Sequence, residues 1–274
     1  MAIQWFPGHM ATAKREIRAV MPSVSLVIEV LDARIPFSSE NPLVAGLRGT
    51  RPCIQILNKC DLADPELTAA WLRRIEQTPG VHAFAHHSRQ SGLLAQVMGI
   101  VRTFEPPLRA RPLVAMILGI PNVGKSTIIN ALAGRTLAKV SNRPAITQRQ
   151  QRINVGLELT LLDTPGFLWP KLSPVSCAYR LAVTGALADR VVDYADLAVF
   201  ALRFLAEHYP GRVGAFYGVD ALPADPTAAM EAIARRRGHL GKGGIVDVQR
   251  VAETVIRDLR AGAFGPISLE RPPG

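Results

Sequence analysis

A phosphate-binding pattern lies near the middle of the 274-residue chain. The segment GIPNVGKS, from Gly119 to Ser126, fits GxxxxGK[ST] and stands between an apolar run and a helix-like stretch. Glycines let backbone N–H groups close around phosphate oxygens, the Lys125 ammonium reaches the β- and γ-phosphates, and the Ser126 hydroxyl can hold Mg²⁺. We predict a nucleoside triphosphate site that also includes Asn122, Val123, Gly124 and Thr127.

A second motif, DTPG, follows the apolar run LTLL. Asp163 is placed to bind Mg²⁺ through water, and Gly166 offers a backbone N–H that can sense the γ-phosphate. In isolation this tetrapeptide is a plausible turn without chemistry. Its place at a strand end, downstream of the phosphate loop, favours the functional interpretation.

A third motif, NKCD from Asn58 to Asp61, also stands at the end of an apolar run. The Asp61 carboxylate can accept hydrogen bonds from N1 and N2 of guanine, a donor pair that adenine lacks. Asn58 would contact the other polar edge of the base, and the Lys59 stem would lie along its plane. A capping or turn role for Asn58 and Asp61 would be as plausible for the tetrad alone. Together with the phosphate loop, it predicts GTP rather than ATP.

Short apolar runs separated by helix-length stretches are typical of buried parallel strands with crossover helices. We predict strands at 24–31, 53–57, 81–85 and 113–118, a strand pair at 151–156 and 158–162, and helices at 178–189, 195–208, 227–237 and 247–261. The predicted fold class is α/β: a P-loop GTPase domain over residues 1–175, with a mostly parallel sheet and helices on both faces, followed by a small, mostly helical domain over residues 176–274.

The order of the motifs is inverted. NKCD precedes the phosphate loop, whereas ordinary small GTPases run phosphate loop, switches, then guanine tetrad. The domain is therefore predicted to be circularly permuted, with the C-terminal domain attached beside the second switch. Loss of the γ-phosphate could then move a whole domain.

A formal net charge of +10 favours a polyanionic partner, RNA or an acidic lipid surface, although a solvated basic face is the alternative. The excess lies near the phosphate loop, since residues 102–171 hold ten Lys or Arg against three acids. Three cysteines without metal-ligand spacing, and apolar runs too short to span a bilayer, predict a cytoplasmic protein with no membrane contact. We expect a monomer.

The chain resembles the ribosome biogenesis GTPase A (RbgA/YlqF) family of circularly permuted GTPases over nearly its whole length. The similar segments are IQWFPGHM at Ile3 to Met10, NKCD, GIPNVGKS, RPAITQ at Arg143 to Gln148, DTPGFLWPK at Asp163 to Lys171, LAVTGA at Leu181 to Ala186, and the closing GGIVDVQRVAETVIRDLRAGAFGPISLE. The resemblance implies a GTPase that assembles the large ribosomal subunit. It would bind the precursor particle and its rRNA in the GTP state, through the C-terminal domain among other contacts, and leave after stimulated hydrolysis.

The resemblance also assigns roles to single positions. Asn58, Lys59 and Asp61 match the base-binding tetrad, Ser88 matches a backbone contact that closes the guanine pocket, and Thr147 matches the switch threonine that completes Mg²⁺ coordination. Two departures stand out. Ala145 replaces a usual glycine, and the sequence from His87 to Arg89 replaces an Asn-Ser-Lys-like segment.

The glutamine that often orients the attacking water after the DxxG glycine is replaced by Phe167. An apolar side chain cannot position water, so we predict slow intrinsic hydrolysis and a group that completes the site. By resemblance, Asn122 would help to hold K⁺; alternatively it only bonds the loop backbone. His9 resembles a histidine that acts on the water once the ribosome orders the N-terminus; alternatively it is a surface group.

Two other functions are consistent with some of these features. A nucleotide-gated RNA-binding module with incidental hydrolysis would share the motifs and the charge. A metabolic enzyme that transfers phosphate to a small molecule would need an acceptor pocket and a base, and the sequence indicates neither. The assembly GTPase is the preferred interpretation.

Overall fold

The computed structural model describes residues 15–104, 107–108, 112–135, 151–164, 166, 168–169, 172–189 and 192–273. Six strands in this part of the chain form one sheet in the order β3-β2-β1-β4-β6-β5. All neighbouring strands are parallel except the β5–β6 pair. The strands are β1 Leu26–Asp32, β2 Cys53–Asn58, β3 Val81–His86, β4 Leu113–Gly119, β5 Gln151–Val155 and β6 Leu159–Asp163.

The sheet confirms the predicted mostly parallel α/β architecture. Strand β1 lies between β2 and β4, so it separates the strand that ends in the guanine tetrad from the strand that ends in the phosphate loop. Because β1, β2, β4 and β6 are parallel, the segments that follow all four strands meet at one edge of the sheet.

Helices connect and cover these strands: α1 Pro36–Ser39, α2 Pro42–Arg48, α3 Pro65–Ile75, α4 Leu93–Val101, α5 Lys125–Ala133, α6 Val175–Val183, α7 Tyr194–His208, α8 Arg212–Tyr217, α9 Pro226–Arg237 and α10 Val248–Arg260. Several begin at acidic caps; Asp64, for instance, accepts the backbone N–H groups of Glu66 and Leu67 at the start of α3.

The helix predicted at 178–189 is wrong at both ends. Helix α6 begins at Val175, directly after Pro174, and it ends at Val183. Gly185 has a φ of 85°, a left-handed value that glycine adopts without a steric cost. A right-handed helix cannot continue through this conformation, so α6 ends before it. The turn that results carries the backbone of residues 184–186 towards the phosphate loop.

The apolar core runs from the sheet into the C-terminal helices. Ile28 and Ile117 of the sheet belong to the same buried cluster as Leu202 of α7 and Val255 of α10. Burial of this apolar surface is the main stabilising contribution. The division into domains at residue 175 stays a prediction. Among the described residues, no helix has both the length and the apolar character needed to cross a bilayer.

A buried carboxyl group lies within the sheet. Glu29 of β1 stands opposite Gln55 of β2, whose side-chain amide donates to Glu29 at 2.9 Å and to Glu40 at 3.2 Å. The backbone N–H of Asn41 also donates to Glu29, at 3.2 Å. Burial, aided by the charge of Glu40, raises the pKa of Glu29 to about 8. This carboxyl is therefore mostly protonated in the folded protein at neutral pH.

We predict that Glu29 makes the protein less stable as the pH rises. The pKa of Glu29 in the folded protein lies above the ordinary value. Its contribution to the free energy of unfolding is therefore full below about pH 4.5 and is lost as the pH rises through about 8. Between pH 5 and 7 the free energy of unfolding should fall by roughly 1.4 kcal/mol per pH unit from this group. Denaturant titrations of wild type and Glu29→Gln measure the slope. The variant should lose it, whereas Glu66→Gln, on the surface of α3, should keep it. An equal slope in Glu29→Gln would contradict this assignment.

Candidate nucleotide site

The phosphate loop joins β4 to α5 as predicted. Gly119 ends the strand, Gly124 is the N-terminal cap of the helix with a φ of 99°, and Lys125 begins the helix. A Cβ on Gly119 would lie 2.7 Å from the Val30 carbonyl oxygen, and one on Gly124 would collide with the Asn58 amide. Both positions therefore require glycine. The loop leaves the backbone N–H groups at the start of α5 available to an anion, which is the geometry of a phosphate cradle.

Lys125 is buried at the base of this loop, with 8% of its surface exposed. Burial lowers the pKa of its ammonium group, and the negative charge of Asp163 opposes this shift. Ser126 and Thr127, which follow it in α5, are half-buried. Because water has little access to this ammonium group, its charge is poorly screened, and it is suited to bind a multiply charged anion such as a triphosphate.

The DTPG segment lies beside the loop. Asp163 is 2% exposed and ends β6, opposite Ile117 of the neighbouring strand β4. The Thr164 hydroxyl donates to the Ile117 carbonyl at 2.9 Å and anchors the start of the segment. A Cβ on Gly166 would lie 3.1 Å from the backbone of Pro121. The switch glycine and the phosphate loop are therefore in close contact.

The guanine tetrad is tied to the phosphate loop by two hydrogen bonds. The side-chain amide of Asn58 donates to the Val123 carbonyl at 2.8 Å, and the Lys59 ammonium donates to the Asn122 carbonyl at 2.8 Å. Lys59 takes a left-handed φ of 62°. The predicted roles of Asn58 and Lys59 concerned the base alone. Here both also join two motifs that are far apart in the sequence.

Two charged residues that sequence reasoning missed complete this edge. The Asp32 carboxylate, 2% exposed at the end of β1, accepts from Lys59 at 3.0 Å and from the Arg34 guanidinium at 2.7 and 2.9 Å. Burial alone would raise the pKa of Asp32, but the charges of Arg34 and Lys59 outweigh it and hold this pKa well below the ordinary value. The ionised carboxylate fixes the Lys59 side chain. The only sequence signal for Asp32 was an acid at the end of an apolar run. The structure adds that Asp32 lies opposite Asn58 in the β1–β2 pair.

The side chain of Asp61, predicted to read the base, is on the surface of the protein. Its carboxylate, 26% exposed, accepts from Arg89 at 3.1 Å, and Arg89 is 76% exposed. A surface ion pair of this kind contributes about 0.2–1 kcal/mol, so a base can replace it at little cost. Ser88, in the turn after β3, is exposed and precedes Arg89. Its contact to guanine stays a prediction.

Asn122 reaches a segment that neither sequence interpretation considered. It has a left-handed φ of 57°, and its side-chain amide donates to the Gly185 carbonyl at 2.7 Å. This partner belongs to the turn after α6, outside the phosphate loop. The K⁺ role of Asn122 stays a prediction.

The other carbonyl groups at the end of α6 are also bonded by distant side chains. Arg34 donates to the Thr184 carbonyl at 3.5 Å, and Arg260 of α10 donates to the carbonyls of Val183 and Ala182 at 3.0 and 2.9 Å. Carbonyls in the last turn of a helix have no partner within it, and cations near this end also favour its dipole. The end of α6 thus joins the β1 loop, the phosphate loop and α10.

Several predicted residues lie outside the described part of the chain: His9, Thr147 and Phe167, together with the segments RPAITQ and FPGHM. Their roles stay predictions. Within the described ranges, no group of three or more His, Cys, Asp or Glu side chains could hold a metal ion. Mg²⁺ in phosphate sites is commonly held by one or two protein oxygens plus phosphate and water. Asp163 and Ser126 are suitable donors of this kind.

The fold and the site define a P-loop GTPase whose motifs follow one another in permuted order. The ribosome biogenesis GTPase A of Bacillus pumilus is 42% identical to this chain over 281 residues, covering 99% of each protein. The chain therefore belongs to the ribosome biogenesis GTPase A family, as the sequence resemblance indicated, and it is a GTP hydrolase.

Other comparisons agree with this assignment. A family model described as a 50S ribosome-binding GTPase matches residues 114–211. The crystal structure of GNP-bound YlqF from T. maritima superposes with a TM-score of 0.71 at 28% identity, covering 95% of this chain and 98% of that one. The mitochondrial ribosome-associated GTPase 1 of Mus musculus is 31% identical and covers 98% of this chain and 90% of its own. Guanine nucleotide binding follows for this chain.

Proposed function

We propose that this GTPase is an assembly factor for the large ribosomal subunit. It binds the precursor particle and its rRNA in the GTP state and leaves after hydrolysis that the particle stimulates. It acts as a monomer in the cytoplasm. The names of its relatives place them at ribosomes, and the net charge of +10 suits an RNA partner.

The contact between Asn122 and Gly185 carries this proposal. It joins the loop that would hold the phosphates to the turn after α6, at 2.7 Å. The end of α6, which this turn follows, is bonded to Arg260 of the C-terminal helix α10 through the Val183 carbonyl. A change in the phosphate loop on loss of the γ-phosphate therefore has a short route to the helices that would contact RNA.

The site residues have separate roles in this proposal. Asn58, Lys59, Asp61 and Ser88 bind guanine, with Asp61 reading N1 and N2. The phosphates lie against the backbone of residues 122–127, with Lys125 at the β- and γ-phosphates. Gly166 senses the γ-phosphate through its N–H. Ser126 and Thr147 would hold Mg²⁺ directly and Asp163 would hold it through water; Mg²⁺ bound there would neutralise negative charge on the phosphates.

Hydrolysis is slow until a partner completes the site. Phe167, at the position of the missing glutamine, cannot hydrogen-bond the attacking water. Asn122 would help to hold a K⁺ ion, which would supply positive charge there, and His9 acts on the water once the particle is bound. Both groups would act on the transition state rather than on GTP binding.

We predict that large ribosomal subunits raise the GTP hydrolysis rate at least about 10-fold, and that K⁺ supports a higher rate than Na⁺. A positioned acid–base group contributes about 10²–10⁴-fold, so His9→Ala should lose most of the stimulation. Phosphate release is measured for wild type and His9→Ala, with and without subunits, in each salt. GTP affinity, measured alongside, should not change in His9→Ala because the imidazole acts only in the assembled complex.

Each result bears on a separate part of the proposal. A rate that does not respond to subunits would contradict the assembly role and favour a nucleotide-gated RNA-binding module. Equal rates in K⁺ and Na⁺ would remove the K⁺ role of Asn122. Full stimulation in His9→Ala would show that another group positions the water.

A further inference from the structure

Four consecutive residues after helix α10 are buried although they belong to no helix or strand. We call Ile267–Glu270 the C-terminal strap; its residues are 3%, 1%, 2% and 3% exposed. Two of the four, Ser268 and Glu270, have polar side chains. Polar groups buried to this extent are stable only when they are hydrogen-bonded, so the partners of the strap define its place in the molecule.

The backbone of the strap bridges the two loops at the guanine side of the site. The Ile267 N–H donates to the Leu62 carbonyl at 2.9 Å, and the Leu269 N–H donates to the Arg34 carbonyl at 2.8 Å. Leu62 directly follows Asp61, the base-reading residue. Arg34 belongs to the ion network that holds Lys59. The strap thus bonds both loops immediately behind the residues that would face the base.

Ser268 holds the same turn at a second point. Its hydroxyl accepts the Asp64 N–H at 3.1 Å, and Asp64 is the cap of helix α3. The hydroxyl of Tyr209, the residue that follows α7, in turn bonds the Ser268 backbone, accepting its N–H at 3.1 Å and donating to its carbonyl at 3.2 Å. The turn from Lys59 to Asp64 is therefore bonded to the strap at two points, the Leu62 carbonyl and the Asp64 N–H.

Glu270 anchors the end of the strap. Its carboxylate accepts the Ser38 backbone N–H at 3.1 Å and the Ser38 hydroxyl, and it pairs with Arg180 of α6 at 3.3 Å. Its backbone carbonyl accepts from the Trp71 indole of α3 at 3.4 Å. These hydrogen bonds at both ends fix the position of the strap relative to the turn from Lys59 to Asp64, which we call the tetrad turn.

We propose that the C-terminal strap is a positioning element of the guanine site, so that discrimination between bases, and not stability alone, depends on residues 267–270. This proposal rests on the proposed role of Asp61. Reading N1–H and N2–H₂ together requires the Asp61 carboxylate to stay in the plane of the base, and hydrogen bonds weaken steeply when they are misaligned. A turn released from the strap would lose this alignment, whereas the phosphate contacts of the loop would stay.

Inosine diphosphate provides the readout, because its base keeps N1–H and lacks the N2 amino group. The ratio of GDP to IDP affinity therefore reports the geometry at Asp61, separately from phosphate binding. A merely structural role of the strap would lower stability, or both affinities together, and leave this ratio unchanged.

The test compares two substitutions at one position in the full chain. Ile267→Pro and Ile267→Ala both remove the isoleucine side chain, but only proline removes the N–H that bonds Leu62. GDP and IDP affinities are measured by titration calorimetry on variants whose folding is checked by circular dichroism and thermal melting. We expect the ratio of GDP to IDP affinity to fall roughly 3- to 10-fold in Ile267→Pro and to keep the wild-type value in Ile267→Ala.

Ser268→Ala tests the same inference without a backbone change, and it decides the question if Ile267→Pro does not fold. It should lower the ratio roughly 2- to 5-fold through loss of the Asp64 contact. Wild-type ratios in the folded variants would overturn the strap proposal alone. A wild-type protein that binds GDP and IDP equally would instead refute the role of Asp61, and the strap proposal with it.

Discussion

Replacement of Lys125 by alanine should lower the affinity for GTP and GDP about 10³-fold, which corresponds to roughly 4 kcal/mol. Lys125 is 8% exposed at the base of the phosphate loop, where water screens its charge little. Hydrogen bonds to charged groups contribute about 1.5–3 kcal/mol each, and Lys125 would make two or more to the phosphates. Calorimetric titration with both nucleotides measures the loss.

The nucleotide-free protein should not lose stability in this variant. Burial lowers the pKa of Lys125, so the charged ammonium opposes folding until an anion binds. Thermal melting without nucleotide should therefore give an equal or higher midpoint for Lys125→Ala, and added GDP should raise it less than in wild type. Lys242→Ala, in an exposed 3₁₀ turn, removes the same charge and serves as the control. A loss of GDP affinity below 10-fold would argue against phosphate binding by Lys125.

Asp61→Asn should change the base preference from guanine to xanthine. The carboxylate accepts from N1–H and N2–H₂ of guanine, whereas an asparagine amide would turn a donor towards the N2 amino group. The charged hydrogen bond to N2 is lost, a donor then faces that amino group, and the bond from N1–H becomes uncharged, which together predict a 10²- to 10⁴-fold fall in GDP affinity. Xanthine carries a carbonyl in place of that amino group, so the amide can donate to it. Binding of GDP and XDP to both proteins measures the exchange.

Asp64→Asn is a matched control for this change. Asp64 stands three residues further along and caps helix α3, a role that asparagine fills equally well. It should keep the wild-type preference for GDP. If Asp61→Asn still bound GDP more tightly than XDP, the base would be read by another residue.

The phosphate loop and the sheet were predictable because short-range rules determine them. The glycine spacing from Gly119 to Gly124 is required by backbone geometry, and the apolar runs identify the parallel strands. The end of α6 could also have been predicted, because Gly185 is a common signal for the end of a helix. The prediction followed the apolar periodicity beyond Gly185 instead, and it made the helix six residues too long at this end.

The polar contacts around the site could not be predicted in the same way. Asp32 and Arg34 have no motif of their own, and they acquire meaning only when folding places Asp32 beside Lys59. Arg260 is one of several arginines in an amphipathic helix, and the sequence does not indicate that it bonds carbonyls 77 and 78 residues away. Interactions of this kind depend on three-dimensional packing, which local patterns do not encode.

The support of the tetrad turn has a consequence for synthesis of the protein. Ser268 bonds Asp64 across 204 residues, and Ile267 bonds Leu62 in the same turn. A nascent chain can therefore form β1, β2 and the tetrad long before the residues that hold the turn have been translated. The guanine site should mature late, after the C-terminal helices have packed, so that incompletely synthesised chains bind nucleotide weakly.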